Sequence, residues 1–180
     1  MLYDNQDVLQ YLDKEKGKLV HLYGEPDAGR TQVLFSVINA LANQDRFCCY
    51  WVPRKEEYRK EVFDATVGKK QCCIIGFPET AQELQQFLVL AKDTDLICVD
   101  NFLEYILHKR KAQIRLIFSL FSASAYEYGT NVLLVNDMRY LPEKGGLHPA
   151  YQEYFRYFCD RHIQVEKDSD FNIRYEFCKL

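Results

Sequence analysis

Gly24, Gly29 and Thr31 stand at the intervals of a phosphate-binding loop (Gly, four residues, Gly, Lys, then Ser or Thr) within the stretch Leu19-Val20-His21-Leu22-Tyr23-Gly24-Glu25-Pro26-Asp27-Ala28-Gly29-Arg30-Thr31. In such a loop the glycines let the backbone curl so that its N–H groups face inward. The positive end of the following helix then points at phosphate oxygens. Thr31 would offer its hydroxyl to Mg²⁺. One residue departs from the pattern: Arg30 stands where lysine is expected, and a planar guanidinium replaces a compact charge on a flexible stem. Asp27, inside the loop, reads either as part of a ligand site or as a local cap in an ordinary strand-to-helix turn that uses glycine for positive φ. A second position of chemical interest is Asp100, which ends the extended apolar run Leu96-Ile97-Cys98-Val99. A carboxylate at the end of a buried parallel strand can reach the Mg²⁺ shell of a nucleotide held on a neighbouring loop, since ligand sites of open α/β sheets lie at those strand ends. The plainer reading is a strand that ends in a polar residue.

Cations form the third set. Lys109, Arg110 and Lys111 make a short basic run, and Arg139 and Lys144 lie in a later polar stretch; together they are the candidate contacts for a nucleic-acid backbone, bound without sequence preference. Runs of this size are more often solvated helix starts. The four histidines, His21, His108, His148 and His162, lack ligand spacing and read as core or surface residues. No Cys-x-x-Cys pair exists, so zinc is not expected.

Such residues need a scaffold. The 180-residue chain, 48% hydrophobic, has the size for one well-buried α/β domain. A net charge of −3 argues against a generally basic surface while leaving room for a local basic patch. Seven cysteines, several inside apolar runs, suit buried reduced thiols in an intracellular protein. No stretch approaches the roughly 18 apolar residues of a membrane span.

The apolar periodicity predicts alternating strands and helices. Residues 1–17 form a polar arm with a short amphipathic helix, whose Leu2, Tyr3, Val8, Leu9, Tyr11 and Leu12 are expected outside the core; 18–180 form the core domain. A helix runs from Thr31 to about Asn43, a strand over 47–52, a charged helix over about 55–66 (Tyr58, Val62 and Phe63 inward) and a strand over 71–75. Thr80-Ala81-Gln82-Glu83 has capping-box spacing and starts a helix reaching Lys92. The strand ending at Asp100, a helix over about 112–127 and a strand over 131–137 follow. Arg139 to Pro149 reads as a long flexible surface loop, then come a short aromatic helix and a hairpin of two strands around Asp168-Ser169-Asp170. The fold class is a doubly wound, mostly parallel sheet with a C-terminal antiparallel hairpin.

This order of elements, from about Lys18 onward, resembles the RecA-like ATPase core. Gly76-Phe77-Pro78-Glu79-Thr80-Ala81-Gln82-Glu83-Leu84 and Leu96 to Ile106 are similar to segments of its recombinase paralogues, in particular the small ones that partner SWIM-domain proteins in homologous recombination. The resemblance implies a nuclear adaptor that helps assemble or stabilise recombinase filaments on single-stranded DNA, within a heteromer containing another RecA-like or SWIM-domain protein. It makes Gly24, Gly29 and Thr31 the phosphate loop, Asp100 the strand-end acid (with Thr31 the Mg²⁺ side chains) and Asn136 a polar sensor, and puts a DNA-facing loop at Lys144 to Leu147. It also places a catalytic glutamate where this chain has Pro53 or Arg54, with Glu56 and Glu57 out of register. Mg-ATP is therefore expected to bind weakly or not at all, with no catalytic residue assigned. The competing expectations are an active P-loop NTPase or small kinase, in which Arg30 does the lysine's work and Glu56 or Glu57 activates water, and an interaction module whose loop binds nothing.

Overall fold

In the computed structural model, which describes residues 5–14, 16–52, 72–141, 145–170 and 172–178, strands and helices alternate through most of the chain. They are α1 (Asn5–Asp13), β1 (Leu19–Gly24), α2 (Arg30–Ala42), β2 (Cys48–Val52), β3 (Cys72–Gly76), α3 (Ala81–Leu90), β4 (Leu96–Val99), α4 (Phe102–Ile106), α5 (Lys111–Tyr128), β5 (Asn131–Leu141), β6 (Gly146–Pro149), α6 (Gln152–Phe158), β7 (Arg161–Lys167) and β8 (Ile173–Cys178). The expected helix over 55–66, with Glu56, Glu57 and the Pro53-Arg54 position, lies outside the described residues, as do Leu2, Tyr3 and Lys144.

Strands β1, β2 and β4 are apolar apart from His21 because both of their faces are covered; every residue of the three is buried. They sit in a sheet of order β3-β2-β4-β5-β1-β7-β8, parallel except for β8, with β6 pairing antiparallel to the far end of β5. Side chains alternate between two cores. Val20, Leu22, Tyr50, Cys98, Leu133, Val135 and Val165 pack under α1 and α2. Leu19, Trp51, Val99, Val132 and Leu134 pack under α3, α4, α5 and α6, where Phe102, Phe118, Phe121 and Phe155 form an aromatic centre. Helices on both faces make the sheet doubly wound, as the periodicity predicts.

Local signals hold where they rest on hydrogen bonding. Thr80 Oγ1 accepts from the Glu83 N–H at 3.1 Å while Glu83 Oε2 accepts from the Thr80 N–H at 3.4 Å, closing the capping box at the start of α3.

Two expectations fail. The N-terminal helix is not an arm outside the core: Val8, Leu9 and Leu12 are at most 5% exposed and join the α2 core. Tyr11 packs its ring on Phe177 of β8, Asp13 takes an ion pair from Arg46, and the buried Asn131 amide donates to the Leu12 carbonyl at 2.7 Å while its oxygen accepts from the Lys18 N–H. The stretch from Arg139 to Pro149 is not a free loop either. Strand β5 continues through Leu141 and returns as β6, with Arg139 opposite His148 and Tyr140 opposite Leu147. The ladder's hydrogen bonds satisfy backbone groups that a surface loop would leave to water. Phe102–Ile106, which carries no separate helical signal in the sequence, forms the short helix α4. No helix among the described residues is long and apolar enough to cross a membrane.

Buried titratable groups cluster at two places. His21 and His162 face each other across β1 and β7, Nδ1 to Nδ1 at 3.4 Å, with the His21 ring stacked on Phe155. Burial, reinforced by the other ring, holds His21 well below the usual histidine value; burial and then the Arg156 charge push His162 down to about 4. On β2 and β3, Cys48 lies opposite Cys72 and Cys49 opposite Cys73, with the latter sulfurs 2.8 Å apart and all seven cysteines free.

Candidate functional site

The loop between β1 and α2 closes over the carboxyl ends of the central strands. β1 lies between β5 and β7, so Gly24 is level with Asp137 on one side and Val165 on the other. Both glycines are required by this packing. A Cβ on Gly24 would collide with the Val165 carbonyl oxygen. Gly29 has φ +91°, and a Cβ there would come within 2.7 Å of Ile173 Cδ1 on β8, so the C-terminal hairpin abuts the loop. Asp27 adopts φ +62°, and no side chain caps the N-terminus of α2. The cap reading of Asp27 is therefore not met; its carboxylate is exposed beside the helix start.

Arg30 does not project into the loop. Its Nη1 donates to the Gly24 carbonyl at 2.9 Å and to the Asn136 carbonyl at 2.8 Å, and its Nη2 makes an ion pair with Asp137. The side chain is only 12% exposed. A guanidinium presents its donors in a fixed planar fork, which suits it to bridging two strand ends and a carboxylate at once. A lysine ammonium could not hold all three in that plane.

Asp100 follows β4, on the face that carries α2. Tyr50 on β2 donates its hydroxyl to Oδ2 at 2.8 Å, and the Asn101 N–H donates to Oδ1 at 2.9 Å. Burial raises its carboxyl above the usual range, opposed by these two hydrogen bonds and by the Arg30 charge. Asp100 and Thr31 line one cleft of about 540 Å³, together with Asp27, Gly29, Arg30, Gln32, Tyr50, Asn101 and Lys167. The structure thus brings five of the seven expected ligand residues to the cleft, with Gly24 held to one of them, Arg30, through its carbonyl. The seventh differs: Asn136 contributes only its carbonyl, to Arg30. Its side chain lies on the opposite face of the sheet, 1% exposed, with Nδ2 donating to the Ala150 carbonyl at 3.4 Å.

Three residues of this site escaped the reading of the sequence. Asp137, Tyr50 and Lys167 all sit at positions that period-2 alternation assigns to the α2 face, in step with Val135, Cys98 and Val165. That alternation distinguishes Asp137 from Asn136 once the buried face of β5 is known. For a Mg-nucleotide, the cleft retains an uncapped helix N-terminus, the exposed Thr31 hydroxyl and the Asp100 carboxylate, a partial fit in which the loop cation is already committed. Among the described residues no three His, Cys, Asp or Glu side chains converge on a metal site.

The cations expected to contact nucleic acid are not one patch. Lys109 lies over the Tyr105 ring, 4.5 Å from its centroid, beside a cleft lined by Phe77 and Glu104. Arg110 is the residue before α5, where its N–H donates to Gln113 Oε1. Lys111 faces a different groove, between α5 and α6. Arg139 is on the β5–β6 hairpin.

No protein-family model and no curated protein sequence matches this chain.

Proposed function

We propose that this chain is a RecA-like module that has given up nucleotide hydrolysis and serves as an adaptor, helping to assemble or stabilise recombinase filaments on single-stranded DNA. The observation that carries the reading is the engagement of Arg30. The one cation of the phosphate loop is spent on the Gly24 and Asn136 carbonyls and on Asp137, so it holds the strand ends together where a loop lysine would reach for phosphate. The position of the loop on the first core strand, with the acid-ended β4 separated from it by β5, supports the RecA-like assignment.

Thr31 and Asp100 would hold Mg²⁺ with the phosphates of ATP, and the N–H groups at the start of α2 would meet the phosphate oxygens. Bound nucleotide would supply a charged clamp between α2 and β4. Binding is expected to be weak and turnover negligible. Steady-state hydrolysis and equilibrium binding of Mg-ATP on purified protein test this. Turnover by the wild-type chain that Asp100→Asn abolishes would establish the active NTPase reading in its place.

The working form in this proposal is a heteromer with another RecA-like or SWIM-domain protein. The N-terminal helix does not support it, because its apolar face is used internally. The support that remains is β8, the terminal strand of the sheet order, the kind of position at which a partner chain can dock. Co-purification from native cells tests the partner: a monodisperse monomer that restores recombination without any bound protein would refute it.

A further inference from the structure

A groove of about 620 Å³ lies away from the loop, between α5 and α6. Its floor is aromatic and fixed. Tyr154 and Phe158 stack on Phe118 of α5 with centroids 5.9 and 5.4 Å away, and Phe158 takes the edge of Tyr157 at 4.8 Å. Tyr157 itself is 81% exposed, an aromatic ring held by its neighbour and open to solvent on the other side. Lys111 and Arg115 form the opposite rim, one helical turn and about 6 Å apart along the axis. Neither is engaged in an ion pair among the described residues. Glu153 is the only acid along the lining among the described residues.

Free cations in a row beside an exposed ring are the two parts of a site for an unpaired nucleic-acid strand: the cations take successive phosphates and the ring takes a base. An acidic peptide would use the cations but gives the ring no partner, and a duplex keeps its bases stacked within itself. We infer that the α5–α6 groove is the single-strand site of this protein, with Tyr157 as the stacking platform and Lys111 and Arg115 as phosphate contacts. This rests on the reading that the chain contacts single-stranded DNA. It names the surface, adds Arg115 and Tyr157, and leaves Arg139 out.

Anisotropy titration of a fluorescein-labelled oligothymidylate with the full chain, at several salt concentrations, tests it. Tyr157→Ala should weaken binding by roughly 5- to 150-fold and Tyr157→Phe should restore it, because stacking needs the ring and not the hydroxyl. Arg115→Ala should weaken binding and lower the salt slope by about one. Arg139→Ala should change nothing. If the oligonucleotide binds and only Arg139→Ala weakens it, the groove is wrong and the single-strand reading stands. If wild type shows no binding at low salt, both fail. Polyglutamate bound as tightly as the oligonucleotide, with no dependence on Tyr157, would overturn the nucleic-acid occupant.

Discussion

Replacing Arg30 should loosen the sheet before it changes any chemistry. Its guanidinium makes two hydrogen bonds to carbonyls and one ion pair from a side chain 12% exposed. Charged-donor hydrogen bonds contribute about 1.5–3 kcal/mol each, but the carbonyls freed by Arg30→Ala border an open cleft where water can replace part of the loss. Asp137 is 35% exposed, so solvent screening holds its ion pair to about 1 kcal/mol. Arg30→Ala should therefore destabilise the protein by about 3 kcal/mol, and Arg30→Lys by about half as much. Urea unfolding reads the difference as a drop in midpoint of about 1–2 M for the alanine variant, at the slopes usual for such domains. A double-mutant cycle with Asp137→Asn should return a coupling of about 1 kcal/mol. Arg30→Lys should also tighten Mg-ATP binding, since the ammonium is freed from the strand ends for phosphate. A midpoint unmoved by Arg30→Ala, or a coupling near zero, would refute the idea that Arg30 fastens β1 to β5.

Acid should unfold the protein earlier than its carboxylates alone require. His21 and His162 bind protons less readily folded than unfolded, so their contribution is whole above the ordinary value of 6.5 and is lost as pH falls through the lowered folded values, about 4 for His162, with a slope up to about 1.4 kcal/mol per pH unit for each proton. Unfolding free energy measured against pH should flatten in that window for His162→Gln. Mild hydrogen peroxide should join Cys49 to Cys73: the two thiols lose two protons and two electrons, peroxide is reduced to water, and the intact chain becomes 2 Da lighter, the expected mass of two lost hydrogens. Peptide mapping that finds no Cys49–Cys73 link, or a 2 Da loss undiminished in Cys73→Ser, would contradict the pairing of Cys49 with Cys73 across β2 and β3. Thr80→Ala removes the cap of α3 and should lower stability by about 1 kcal/mol, seen as a melting shift of about 2–4 °C.

What the sequence discloses follows the reach of the interactions. The strands were legible because two-sided burial writes itself as unbroken apolar runs, and α3 because its cap closes within four residues. Asp100 was legible as the polar end of such a run. The role of Arg30 was not, because its partners Asn136 and Asp137 lie more than a hundred positions away and a substituted loop lysine looks the same whether it faces phosphate or the strand ends. Asn136, which the resemblance made a polar sensor, turns its side chain to the opposite face from Asp137, the neighbour that meets Arg30. The N-terminal helix looked superfluous because the groove that receives it is built by α2 and by β8 at the far end of the chain. The β5–β6 pairing was hidden because Gly145 and Gly146 read as a loop as readily as they do as the entry to a strand.

The position of β1 has a consequence for how the protein comes into being. It precedes every other strand, yet its neighbours are β5 and β7, and the Leu19 N–H finds its acceptor on Asp160, 141 residues later. At ordinary elongation rates the ribosome takes about 7–30 s to cover that distance. Throughout that interval an all-buried strand has neither of its lasting neighbours, while β2, β3 and β4 can already assemble beside one another. A message cut short before β5 would thus deliver β1 and the loop after it with nothing to zip against, and the product would be an aggregating fragment rather than a smaller working protein.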